Sequence, residues 1–226
     1  MENASVFIVI PAYNEAGMIE SVLQKLLAAS YFNIVVVDDC SQDQTSDIVT
    51  KYPVFYLRHL INRGQGAALR TGTDFAVEKG AEVVIHFDAD GQMSVEDIPR
   101  FVEQVSNGRD VVLGSRFLSN SGELKMPWHR KTLLAGAKVF NWMILGVNYN
   151  DPQNGFRALS RSAAQKLVWK NDRMAHCSEI LRLIKTHQLP YQEIPVNINY
   201  SQYSLKKGQG FKDVWKIVWD LFINKF

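Results

Sequence analysis

Two carboxylates and an amide stand at alternate positions in the run His86-Phe87-Asp88-Ala89-Asp90-Gly91-Gln92, directly after an apolar stretch. Side chains two residues apart on an extended chain share a face, so Asp88, Asp90 and Gln92 can point the same way. Such a hard-oxygen set suits Mg2+ or Mn2+ rather than zinc, and Mg2+ commonly takes one or two carboxylates and lets substrate phosphates complete its shell. The plain alternative is a solvated acidic turn ahead of Ser94. Two other apolar runs also end in acid: Val35-Val36-Val37 in Asp38-Asp39, and the opening run in Pro11-Ala12-Tyr13-Asn14-Glu15. Tyr13 offers a ring face to a nucleobase, and Glu15 suits a ribose or a helix N-terminus. Asp38 reads as a residue that shapes its turn.

Basic residues supply the complementary chemistry. Arg116 ends a strand, Arg130 opens a long helical stretch and Arg157 sits in Asn-Gly-Phe-Arg. A guanidinium fork can grip phosphate oxygens in pairs, with a surface or ion-pair role as the alternative for each. A hydroxyl acceptor would need a general base. Glu179 is the candidate, with Asp151 second. A phosphate acceptor is already ionised near neutral pH and needs none; Glu179 would then orient Arg157 or an acceptor-site lysine. His176 reads as a packed or surface histidine. Asn62 to Gly66, NRGQG, does not match GxGxxG, so a dinucleotide site has no support.

These residues need elements to position them. Short β-branched runs at Ser5–Ile10, Asn33–Val37, Val54–Leu57, Glu82–Phe87 and Asp110–Leu113 read as buried parallel strands. Amphipathic stretches at Met18–Ala29, Ser46–Lys51, Gly66–Lys79 and Val95–Val105 read as helices, the last capped by Ser94. The alternation predicts an α/β layer with a mostly parallel sheet, whose ligands gather at the carboxyl ends of the strands. Further on, His129–Leu145 reads as a long helix and Phe156–Leu159 as a strand. Helices are expected near Arg161–Trp169 and Ser178–His187. A last strand spans Tyr191–Ile198, at an edge or bulge because of Pro195.

The 226 residues carry 25 Lys and Arg against 23 Asp and Glu, a net charge of +2, which argues against bulk nucleic-acid binding. Hydrophobic content of 46% is globular and argues against disorder. Cys40 and Cys177 form no disulfide framework and no zinc motif. Neither a signal peptide nor a membrane span is evident, so a cytoplasmic protein is expected, free or peripheral on the membrane. The tail 211–226 is an amphipathic helical pattern, with Phe211, Trp215, Val218, Phe222 and Phe226 recurring beside lysines. It suits a membrane interface, the domain core or a second copy in a homodimer.

Taken in order, IVIPAYNEA, VVVDDCSQDQTSDI, NRGQGAALRTG, FDADGQM, DVVLGSR and DPQNGFRALSR resemble the inverting family-two glycosyltransferases of the GT-A fold. Within that family the likeness is greatest to the polyprenyl-phosphate sugar transferases. Cys40 replaces the glycine or asparagine often found there and reads as tolerated turn chemistry. The resemblance implies a single domain over 1–226, with a Rossmann-like sheet flanked by helices. It divides into a nucleotide-sugar half (1–114), an acceptor half (115–210) and the amphipathic C-terminal helix (211–226). It also implies a metal-dependent, inverting transfer from a UDP- or GDP-sugar to a polyprenyl phosphate. Pro11, Tyr13 and Glu15 would line the nucleoside pocket, Asp39 would bond the base, and Asp88 would lie near the ribose or the metal. Asp90 and Gln92 would bind Mg2+ or Mn2+, the NRGQG glycines would admit the donor, and Lys207 would close over the diphosphate. Arg116, Arg130 and Arg157 would meet the acceptor. Transfer to a saccharide hydroxyl with Glu179 as base, and a silent nucleotide-sugar-binding protein, are the rival readings.

Overall fold

The computed structural model describes residues 5–118 and 149–197. Its centre is a seven-stranded sheet. The strands are β1 (Val6–Ala12), β2 (Ile34–Asp38), β3 (Phe55–Arg58), β4 (Val83–His86), β5 (Val111–Ser115), β6 (Arg157–Ser160) and β7 (Tyr191–Pro195). They lie in the order β3-β2-β1-β4-β6-β5-β7. Every pairing is parallel except those of β6, which runs antiparallel to both β4 and β5. β7 is the edge strand that Pro195 calls for, since a proline has no N–H to give to a ladder.

Alternate residues of each strand feed two cores. Ile8, Ile10, Val36, Ile85, Phe87, Phe156 and Ala158 face one side, under α1 (Ile19–Ala28), α2 (Thr45–Val49) and α4 (Ile98–Ser106). Phe7, Val9, Val37, Val84, Leu113 and Leu159 face the other, under α3 (Gln65–Glu78), α5 (Arg161–Lys166) and α6 (His176–Thr186). Both faces are covered, which explains why the strands read as apolar runs rather than as alternating ones. Gly72 lets α3 lie directly on the sheet, because a Cβ there would come within 2.3 Å of Val9 Cγ1.

The expected strands and helices of the first half appear within a residue or three of their predicted bounds. Ser94 is a correction. Its hydroxyl bonds Glu96, a 3-10 turn covers Val95–Asp97, and the α-helix starts only at Ile98, where Pro99 suits the first turn. Ser160 makes the cap instead, accepting from the Ala163 N–H at 3.0 Å. Cys40 adopts φ +64°, the left-handed conformation for which glycine or asparagine is usual. The predicted helix His129–Leu145, Arg130, Lys207 and the tail 211–226 lie outside the described residues. No helix among the described residues is long and apolar enough to cross a membrane.

Candidate active site

The carboxyl ends of β1, β2 and β4 meet the N-terminus of α3. The β1 and β2 loops are stitched together by the Asn14 N–H on Ser41 Oγ (3.0 Å), the Glu15 N–H on Thr45 Oγ1 (2.8 Å) and the Gln42 N–H on Asn14 Oδ1 (2.8 Å). Pro11 is buried in β1 while Tyr13 is 43% exposed on the rim. Asp38 shapes its turn as expected, accepting from the Ser41 N–H and the Tyr56 hydroxyl, both at 2.8 Å. Asp39, expected at the base, is buried and has other partners. Its Oδ1 meets His59 Nδ1 at 2.7 Å and accepts the Arg63 N–H at 2.9 Å, while Oδ2 accepts the Gly64 N–H at 2.6 Å. Asp39 therefore fixes the loop that opens α3.

From that loop Gln65 Nε2 donates to Asp88 Oδ1 at 2.9 Å. Asp90 Oδ1 accepts the Gln92 N–H at 3.0 Å, and its Oδ2 accepts Gln92 Nε2 at 2.6 Å. The structure thus brings Asp88, Asp90 and Gln92 together, with the Gln92 amide group donating to Asp90. Burial, and then the neighbouring charge of Asp90, push the Asp88 carboxyl up to about 7. Two crowded carboxylates fit a divalent cation with oxygen ligands, and among the described residues no third His, Cys, Asp or Glu joins them.

This electrostatic state has a pH signature. Without metal, folded Asp88 holds its proton to about pH 7 while the unfolded chain releases it near the ordinary carboxyl value. The native state then binds more protons across that window, so stability falls as pH rises from about 4 to 7. In EDTA, Asp88→Asn is expected to flatten that fall and to raise the melting temperature at pH 8. Thermal denaturation of both proteins at several pH values checks this. A parallel pH dependence in the variant would refute it.

The segment after α5 is the part of the site that sequence reasoning missed. Trp169 Nε1 donates to the Gly66 carbonyl at 2.8 Å, the Ala67 N–H donates to the Asp172 carbonyl at 3.0 Å, and Arg70 Nη2 meets Asp172 Oδ1 at 2.6 Å. A Cβ on Gly64 would lie 2.5 Å from the Asp172 carbonyl oxygen, and one on Gly66 only 2.3 Å from that of Asn171. These glycines admit this segment of the chain itself, where close approach to a donor was expected. Glu179 anchors the same segment. Its oxygens accept the Lys170 N–H at 3.0 Å, the Asn171 N–H at 2.8 Å and Asn171 Nδ2 at 2.6 Å. Neither an arginine nor a lysine side chain is among these partners. The only advance signal was the run of polar residues between Trp169 and α6.

On the other side, Arg116 directly follows β5 and forms a two-pronged pair with Asp151, Nε to Oδ2 and Nη2 to Oδ1, both at 2.6 Å. The second candidate base is therefore the partner of the first candidate acceptor arginine. Arg157, also expected to grip the acceptor, is 1% exposed and lies within the sheet, its Nη2 donating to the Asn154 carbonyl at 3.1 Å. His176 is buried, as anticipated for a packed histidine, with Nδ1 2.8 Å from the Arg173 carbonyl.

Comparison with known proteins places this arrangement among relatives. Residues 7–168 match the profile described as glycosyl transferase family 2. An uncharacterized protein of Methanocaldococcus jannaschii is 37% identical over 97% of this chain and 92% of its own length. The UDP-N-acetylglucosamine–dolichyl-phosphate N-acetylglucosaminyltransferase of Methanococcus voltae is 32% identical over all of this chain and 98% of its own. Among solved structures, glucosyl-3-phosphoglycerate synthase of Mycobacterium tuberculosis, in complex with Mn2+, UDP and glucosyl-3-phosphoglycerate, superposes with a TM-score of 0.66 at 17% identity. It covers 95% of this chain and 76% of that one, and it establishes the GT-A fold.

Proposed function

This chain belongs to glycosyl transferase family 2 and is a glycosyltransferase; from that premise we propose that it moves a sugar from a nucleoside diphosphate to a polyprenyl phosphate, with inversion at the anomeric carbon. The observation that carries the choice of acceptor is the engagement of both candidate bases. Glu179 is spent on the 170–171 backbone and Asp151 on Arg116. A phosphate nucleophile needs no proton removed, so an arrangement of this kind suits it. The name of the Methanococcus voltae relative, a transferase acting on dolichyl phosphate, supports the same acceptor class.

In this reading Pro11, Tyr13 and Glu15 line the nucleoside pocket, and Asp39 acts through the loop at Arg63 and Gly64 rather than by touching the base. Asp88 and Asp90 would hold Mg2+ or Mn2+, with Gln92 beside them. A bound divalent cation there neutralises the charge that gathers on the departing diphosphate. Mn2+ and UDP in the Mycobacterium tuberculosis structure support the choice of ion. Arg116, held in one orientation by Asp151, directs the acceptor phosphate toward the anomeric carbon, with Arg130 and Lys207 as further contacts to acceptor and donor. The acceptor oxygen bonds to the anomeric carbon as the bond to the donor phosphate breaks, and the leaving electron pair stays on the nucleoside diphosphate. Peripheral contact of the tail 211–226 with the membrane would bring the lipid within reach.

Glu179→Gln tests the acceptor class. With a short-chain polyprenyl phosphate, the variant should keep kcat within several-fold of wild type, because its loss is structural, about 1–3 kcal/mol of stability. A fall of about 10²–10⁴-fold in kcat would instead mark Glu179 as a base and the acceptor as a hydroxyl. Steady-state rates with mass analysis of the product decide between them.

A further inference from the structure

Gln65 opens α3 between two glycines that distant parts of the chain hold in place. On one side the Gly64 N–H donates to Asp39 Oδ2 at 2.6 Å, and on the other the Gly66 carbonyl accepts Trp169 Nε1 at 2.8 Å. A Cβ on Gly64 would strike the Asp172 carbonyl, and one on Gly66 that of Asn171. The backbone on both flanks of Gln65 is therefore fixed, by the acid after β2 and by the 169–172 segment. A side chain that starts from a fixed backbone has less freedom left to lose when it forms a hydrogen bond, so its bond can hold a partner still.

That bond goes to Asp88, from Gln65 Nε2 to Oδ1 at 2.9 Å. The other oxygen is confined by a different element: Gly155, ahead of β6, lies so close that a Cβ on it would sit 2.8 Å from Asp88 Oδ2. Behind the side chain, the Asp88 N–H donates to Met93 Sδ at 3.2 Å. One carboxylate oxygen is thus tied to an amide, the other abuts backbone, and the main chain beneath them is anchored. An ionised carboxylate has about four lone-pair sites, and a single amide donor takes one of them. The turn of the carboxylate is set, while most of its acceptor capacity stays available to a cation.

We infer that Gln65 is the positioning residue of Asp88: a neutral amide that fixes how the carboxylate is turned, and through it how tightly the Asp88–Asp90 pair holds a divalent ion. The link to the ion rests on the function proposed above; the hydrogen bond itself does not.

Gln65→Met keeps the length of the side chain and a similar helix propensity but removes the donor. Calorimetric titration of the full chain uses UDP, or GDP if the wild type prefers it, over a range of Mn2+ concentrations. The Mn2+ needed for half-maximal nucleotide binding should rise by about 10-fold or more in the variant, the scale for losing an outer partner of a metal ligand. At saturating Mn2+ the nucleotide affinity should return to within about 3-fold of wild type, which a merely damaged pocket would not do. An unchanged Mn2+ requirement, or a loss that added Mn2+ does not recover, overturns the positioning role.

A double-mutant cycle tests the pairing without any ligand, by thermal denaturation in EDTA at pH 8. Gln65→Met should lower the melting temperature by about 2–5 °C, and by less than half as much in an Asp88→Ala background. Additive effects overturn the pairing. If the wild-type protein binds neither nucleotide in Mn2+, the proposed function falls and the metal role of Gln65 falls with it, while the thermal cycle still decides whether Gln65 holds Asp88.

Discussion

Asp90→Asn should reduce turnover by at least about 10²–10³-fold while leaving the fold intact, the scale expected when one stabiliser of developing anionic charge is lost. The reason is local. Asp90 takes the Gln92 backbone N–H on one oxygen and the Gln92 amide on the other, so asparagine can keep the turn by presenting its amide oxygen to the N–H. What asparagine cannot keep is the negative charge beside Asp88. On the proposed mechanism, the site with one carboxylate left would bind a divalent cation less tightly, and the nucleoside diphosphate would depart without the same neutralisation. Circular dichroism and melting curves should match wild type, and EDTA should impose a comparable loss on the wild-type protein. Full activity in EDTA, or in Asp90→Asn, would remove the metal from the mechanism.

Arg116→Ala should be the most destabilising of the charge substitutions, at about 3–5 kcal/mol. Asp151 has a fully buried side chain and takes two side-chain bonds from Arg116 as well as its backbone N–H at 3.0 Å. Truncating the arginine strands that carboxylate in the interior with one backbone donor and Asn154 for company. Adding Asp151→Asn removes the stranded charge and should restore a large part of the loss in urea denaturation. The double variant then isolates the arginine's other task. If it folds and still shows a raised acceptor KM, Arg116 meets the acceptor phosphate; if its KM is that of wild type, the arginine serves only the fold.

Two kinds of information separate here. The strand ends and their acids were legible because they depend on local rules: a buried parallel strand is an apolar run, and alternate residues after it share a face. That logic put Asp88, Asp90 and Gln92 on one loop and Pro195 at an edge. The order of the GT-A motifs also carried the family, which is a property of the whole chain rather than of any single residue. Cys40 was read from the family resemblance as a turn position where glycine or asparagine is usual, and the structure gives it the left-handed conformation.

The roles of Glu179, Arg157, Asp39 and the NRGQG glycines were not legible, because each depends on contacts between distant segments. Glu179 is an acid near a helix start in the sequence; only folding delivers the Lys170 and Asn171 N–H groups to it. Gly64 and Gly66 read as room for a ligand until the Asn171 and Asp172 carbonyls are seen to occupy that room. Arg157 reads as a grip for phosphate until β6 is threaded antiparallel between β4 and β5, which sets it opposite His86 and buries its side chain. By itself, then, the sequence determined the strand–helix alternation, the acid-bearing edge and the family, all set by local periodicity and motif order. The tertiary structure decided which charges are paired, because burial strips water from a charge and only the folded chain supplies the partner that replaces it.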